Sequence, residues 1–403
     1  MEKRFVYADN AATTRVSDRA LEAMLPYLKE SYGNPSGVYS KGMEASRAVL
    51  NARQQVQKAI GAAKVGEIFF TSGGSEADNW AIRGAAQLGE RSGKRHIITT
   101  AIEHHAVMNT CKYLETKGFE VTYLMPDKDG MITAAQVEKA LREDTALVSV
   151  MAVNNEVGTI LPVAEIGKIC REHKVLFHTD AVQTIGHIAV DVQAMNVDML
   201  SLSGHKFHAP KGIGALYVRG GTDLPPLIFG GSQERGRRAG TENVPAIAAL
   251  GEAITEAVGG IDEKCAYTSA LRDRIIDGIL ERIPESRLNG SRENRICGNM
   301  NFSFRGIEGE SLLLLLDMHG ICASSGSACA VGSAEPSHVL TAMGLPKETA
   351  HGSLRLSINE ENTDEDAEYI LEVLPEAVKE LRRRSPVWQR ICENEGIEDY
   401  TKE

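Results

Sequence analysis

From Ser17, apolar residues Leu21, Met24, Leu25 and Leu28 recur at helical spacing, and Gly33 follows as a stop. A longer pattern of the same period, Ala45, Ala48, Val49, Ala52, Val56, Ala59 and Ile60, ends at Gly61. Short apolar runs suited to buried strands come next: Ile68–Thr71, His96–Thr100, Val121–Met125, Ala146–Val153, Val175–Thr179, Val197–Leu202 and Ile213–Val218. Several are separated by stretches of helical length, as βαβ units require, so the pattern predicts an α/β fold with a large, mostly parallel sheet covered by helices. Past about residue 255 the texture changes. Helical segments over Tyr267–Ile283, Glu310–Met318 and Asp364–Arg384 alternate with strands at Met300–Phe304 and Ser353–Ile358, and Thr363 stands where an N-cap belongs. The expected organisation is a large domain over 15–255 and a smaller α+β domain made of 1–14 and 256–403.

With 403 residues, 42% of them hydrophobic, the chain can bury a large core. Lys and Arg total 44 against 55 Asp and Glu, and the resulting charge of -11 argues against direct nucleic-acid binding. No apolar run approaches the roughly 18 residues that cross a bilayer, and the N-terminal residues lack a signal-peptide core. The expectation is a cytoplasmic protein without membrane contact. The seven cysteines are thinly spread and include no C-x-x-C pair, which predicts neither a disulfide framework nor a zinc knuckle, and hence no metal site. Most of these thiols are expected to be buried and inert.

Candidate chemistry begins at Ser203-Gly204-His205-Lys206, at the end of a strand-like run. A lysine set among small residues at a strand end suits a Schiff-base amine, although a solvated surface lysine is the ordinary alternative. With the following Pro210-Lys-Gly-Ile-Gly-Ala-Leu216, the string resembles the lysine signature of class V aminotransferase-fold enzymes, which bind pyridoxal 5'-phosphate. Upstream, Ile68 to Asn79 reads as strand, glycine turn and helix start. Alone this is a common βα turn. Beside a cofactor lysine, Gly74 and Ser75 become a candidate phosphate cup. Asp180, after its strand, is either a helix N-cap or the partner of a pyridinium nitrogen, with Gln183 able to donate to the ring hydroxyl. His104 could stack on the ring and exchange protons, or be an ordinary polar histidine.

The segment Cys322 to Leu340 is dominated by Gly, Ser and Ala around Cys329, which predicts an open, mobile loop carrying a thiol. A free surface cysteine and a metal ligand shared with Cys322 are the alternatives. Ser325-Gly-Ser-Ala-Cys329 resembles the active-site loop of NifS/IscS-type cysteine desulfurases, in the group with the longer loop. The stretches starting at Tyr7, Gly33, Asn154 and Arg235 are similar to others of that family, in family order, whereas Ser385 onward carries no part of the likeness.

The resemblance implies a pyridoxal-phosphate-dependent aminotransferase type I fold, a homodimer, and conversion of L-cysteine to L-alanine with the sulfur held on Cys329 as a persulfide. It implies catalytic roles for Lys206, Cys329 and His104. Ser203 and His205 would contact the cofactor phosphate, and Thr241 would reach that of the partner subunit. Asn155 would bond the ring or substrate, and Arg355, otherwise an edge-strand arginine, would clamp the substrate carboxylate. The sulfur would pass to an iron–sulfur scaffold or a tRNA-thiolation enzyme.

Overall fold

The computed structural model describes residues 4–325 and 336–402. In chain order the strands are β1 (Val6–Tyr7), β2 (Ile68–Thr71), β3 (His96–Thr100), β4 (Glu120–Leu124), β5 (Thr145–Ser149), β6 (Leu176–Asp180), β7 (Met199–Ser203), β8 (Gly214–Val218), β9 (Ser286–Leu288), β10 (Asn299–Phe304), β11 (Ile321–Cys322) and β12 (Ser353–Ser357). Seven of them form one sheet in the order β2-β8-β7-β6-β5-β3-β4. All neighbours in it are parallel except at β8, which runs antiparallel to β2 and β7.

Strand period divides this sheet's side chains between two cores. Phe70, Ile98, Val148, Phe177, Leu200 and Tyr217 enter one, packed by the helices Ser40–Ala59, Val163–Glu172 and Val244–Val258. Their neighbours Phe69, Ile97, Leu147, Met199 and Leu216 enter the other, under the helices Gly74–Arg91 and His105–Glu115. Because both faces are covered, the strands read in sequence as unbroken apolar runs. Trp80 anchors the second core, edge-on to Phe69 at 5.3 Å, with its indole N–H donating to Pro225 O at 2.9 Å.

A smaller antiparallel sheet, β12-β10-β9, backs onto the helices Ile261–Arg282 and Asp364–Arg384 around Phe302, Phe304 and Leu354. Thr363 caps the second helix, its side chain accepting from Asp366 N in a capping box. Residues past Ser385 close over Arg382: the Trp388 ring lies 4.1 Å from the guanidinium, which donates to the carbonyls of Pro284, Glu285 and Arg305.

The chain start ties the two sheets together. β1 pairs with β11 in parallel, Ala11 N donates to Ser357 Oγ at 2.9 Å, and Thr14 N donates to His205 O at 2.9 Å.

Three expectations are revised. The run from Ala146 is regular strand only to Ser149, although the amides of Val150 and Ala152 still donate to His178 and Asp180; the chain turns at Asn154, whose Oδ1 accepts from the amides of Glu156 and Val157. The helix expected from Tyr267 starts at Ile261. Leu21, Leu25 and Leu28, spaced like a core face, are 44%, 51% and 53% exposed. Among the described residues, no single helix is long and apolar enough to cross a membrane.

Candidate active site

A cleft of about 590 Å³ opens at the C-terminal ends of the parallel strands, where an open α/β sheet places its ligands. Its lining brings together Gly74, Ser75, His104, Asn155, Asp180, Gln183, Ser203, His205, Lys206 and Arg355. Thr241 lies outside it, exposed. Cys329 falls outside the described residues.

Lys206 closes the short turn after β7, and its Nζ donates to the carbonyls of Ala11 at 2.6 Å and Ala12 at 2.8 Å. Gln183 Nε2 donates to the same Ala11 oxygen at 3.0 Å, so the chain start fixes both side chains. Asp180 ends β6 and accepts from Val182 N at 2.9 Å, an Asx-type turn that aims its carboxyl into the cleft. Burial raises its pKa, opposed by His104 and Lys206. His104 is the N-cap of its helix: Nδ1 accepts from Ala106 N at 3.1 Å, which puts the hydrogen of the neutral ring on Nε2. Burial lowers its pKa, as it does for His205, which is depressed to about 4 with help from Lys206 and Lys211. Both rings are therefore neutral near pH 7.

The helix Gly74–Arg91 points its start at the cleft. Its N-cap is Gly73, at φ +154°, and among the described residues no side chain caps the first turn, so amides there remain available to an anion. A Cβ on Gly74 would come within 2.6 Å of Val182, so glycine alone permits this closeness. Glu76 in that turn is matched by Arg238, at 2.8 Å, which removes its repulsion for an incoming anion.

The opposite wall comes from the smaller sheet. Arg355 is 2% exposed; Nη2 donates to Asp9 Oδ1 at 2.9 Å and Nη1 to Asn155 O at 3.1 Å. Among the described residues its Nε has no partner. Its backbone pairs in both directions with Ser324, just ahead of the segment that carries Cys329. Beyond that segment, Ser337 donates to Glu156 and His338 lines the cleft.

Sequence reasoning missed Asp9, Glu156, Asp78 and Glu103. Asp78 is buried beside Asp180, and Glu103 is pushed up to about 8 by burial. Asp78, an acidic residue on the buried face of the helix Gly74–Arg91, carried a signal; Asp9, Glu103 and Glu156 lie outside helices and named strands, where hydrophobic periodicity has nothing to report.

The aminotransferase class-V family matches residues 6–370. This chain belongs to that family. Within it, the chain is 54% identical to the cysteine desulfurase IscS of Clostridium botulinum over 391 residues, 96% of this chain and 98% of the relative. The Methanosarcina thermophila IscS is 54% identical over 386 residues, covering 96% and 95%. Among solved structures, a NifS-like protein superposes with a TM-score of 0.88 at 41% identity, over 94% of this chain and all of that one. SspA in complex with cysteine superposes at 0.77 with 40% identity, over 88% and 98%. A class-V chain of this kind accounts for the two-sheet architecture and for a cleft at the strand ends.

Proposed function

We propose that this chain is a pyridoxal-phosphate-dependent cysteine desulfurase, converting L-cysteine to L-alanine and taking the sulfur onto Cys329 as a persulfide. One arrangement carries the reading: Lys206, Asp180 and His104 converge at strand ends between an uncapped helix start and a buried guanidinium. The donor set fits the cofactor. The first-turn amides, Ser75, Ser203 and neutral His205 suit its phosphate. Asp180, whose burial favours a cationic neighbour, suits a protonated ring nitrogen. His104 and Gln183 flank the ring. Bound there, the cofactor supplies an aldehyde for the substrate amine and an electron-withdrawing ring.

The chain's own residues do the rest. Arg355 holds the substrate carboxylate through the unpaired Nε and a neighbouring N–H, with Asn155 beside it. Lys206 Nζ, held by two carbonyl oxygens, is placed to remove the Cα proton once it is neutral. Asp180 keeps a proton on the ring nitrogen. The Cys329 thiolate bonds to the substrate sulfur as the carbon–sulfur bond breaks, and the protons needed to complete alanine return through Lys206. The anchoring of the flanking residues Ser324 and Ser337 at this cleft supports that role for Cys329.

The same reading includes a homodimer in which Thr241 serves the partner subunit's cofactor. Supporting it are the apolar surfaces at Leu25 and Val38, and at Phe229, which is 85% exposed. It also includes units of 15–255 and 1–14 with 256–403, a cytoplasmic setting, and an acceptor protein of the iron–sulfur scaffold or tRNA-thiolation kind.

Incubation of the purified protein with L-cysteine and a reductant tests the proposal. Equal sulfide and alanine from a yellow protein are expected, with sulfide lost in Cys329→Ser while the colour stays. Persulfide formation by that variant would remove Cys329 as the sulfur acceptor.

A further inference from the structure

Away from the cleft, the fold brings together two thiols 32 positions apart in sequence. Cys265 stands early in the helix Ile261–Arg282, and Cys297 just precedes β10. Their sulfurs are 3.0 Å apart, inside van der Waals contact and within hydrogen-bonding reach. Cys297 Sγ is 3.4 Å from His187 Nδ1, and Cys265 Sγ is 3.2 Å from His187 O. Cys265 is partly exposed and Cys297 buried, so a small molecule meets Cys265 first. The contrast with the other thiols is sharp: burial pushes Cys111 and Cys170 up to about 12 and leaves them inert.

We propose that Cys265 and Cys297 are a redox-active dithiol, a modification site that a peroxide-class oxidant converts into an intramolecular disulfide. The sulfurs need to close by only about 1 Å to reach bonding distance. The Cys265 thiolate attacks a peroxide oxygen; the S–O bond forms, the O–O bond breaks, and the departing hydroxide becomes water by taking the proton Cys265 released. The Cys297 sulfur then attacks Sγ of Cys265. The S–S bond forms, the S–O bond breaks, and the Cys297 proton reaches the leaving hydroxide by way of His187 Nδ1. Two thiols and one peroxide become one disulfide and two waters. The hydrogen bond between the sulfurs lowers the Cys265 pKa and raises that of Cys297, which fits this order of attack. Among the described residues no group of three or more His, Cys, Asp or Glu is arranged to hold an ion.

The test treats the full-length protein with hydrogen peroxide, alkylates it under denaturing conditions and maps the peptides by mass. The expected product joins the peptides carrying Cys265 and Cys297, is lighter by two hydrogens, and reverts with dithiothreitol. Cys297→Ser is expected to leave a dimedone-reactive sulfenic acid on Cys265, and Cys265→Ser to leave neither product at this pair. The proposal fails if both residues stay alkylatable after a dose that oxidises Cys322, the other partly exposed thiol among the described residues. It fails equally if the cross-link found joins different cysteines. Because the wild-type protein gives the primary readout by mass, desulfurase turnover does not enter the result.

Discussion

The two walls of the cleft hold their charges in different ways. On the strand-end wall, Lys206 is steadied by backbone carbonyls, Asp180 by one amide, and the histidines are kept neutral by burial. On the small-sheet wall, Arg355 is balanced by the carboxylate of Asp9 as well as held by the backbone carbonyl of Asn155. Groups fixed by backbone keep their place when a ligand's charge arrives. A guanidinium fixed by a carboxylate can share its donors with a second carboxylate instead. The first wall thus suits chemistry and the second suits substrate capture.

That contrast breaks most visibly at Lys206. Lys206→Ala is expected to lose at least ~10³-fold in turnover, together with the absorbance of the bound cofactor; retained turnover would move the chemistry off this wall. Arg355→Lys keeps the charge but loses the planar fork. It should raise KM for L-cysteine and lower kcat/KM by about 10- to 100-fold with a smaller change in kcat; an equal fall in both would mean that Arg355 acts in the chemical step.

Behind the strand-end wall, Glu103 Oε1 accepts from Met151 N and Thr100, while Oε2 has no partner among the described residues, the pattern of a protonated acid. Its pKa is raised from 4.5 to about 8 on folding, so its contribution is full below pH 4.5 and falls as pH rises towards 8. Glu103→Gln, unable to ionise, should be more stable than wild type at neutral pH by on the order of 2 kcal/mol in urea unfolding, with the gap vanishing near pH 4. A pH-independent difference would show that burial does not hold this proton. Outside the cleft lining, Thr363→Ala should cost about 1 kcal/mol through its lost cap and leave KM unchanged.

The strand-end wall was the more legible of the two. Its residues sit at the ends of β3, β6 and β7, where local apolar runs stop, and β2 and β3 match the expected runs residue for residue. The small-sheet wall depends on partners far apart in sequence, such as Asp9 with Arg355 and Glu156 with Ser337. Hydrophobic periodicity carries no information about such pairs. The same gap hid the meeting of Cys265 with Cys297, and let the exposed Leu21, Leu25 and Leu28 look like core. Periodicity reports that a face is apolar, not what covers it.

The strap from Val6 to Thr14 has a consequence for the order of assembly. It pairs with residues 321–322 and 357, so residues 6–14 wait for partners that are made much later. Until then Lys206 lacks its carbonyl partners at Ala11 and Ala12. On a ribosome, the large sheet can form early from its own sequential βα units while the cleft stays unfinished. Closing the cleft is therefore a late event, gated by the return of the 6–14 strap to residues 321–322 and 357.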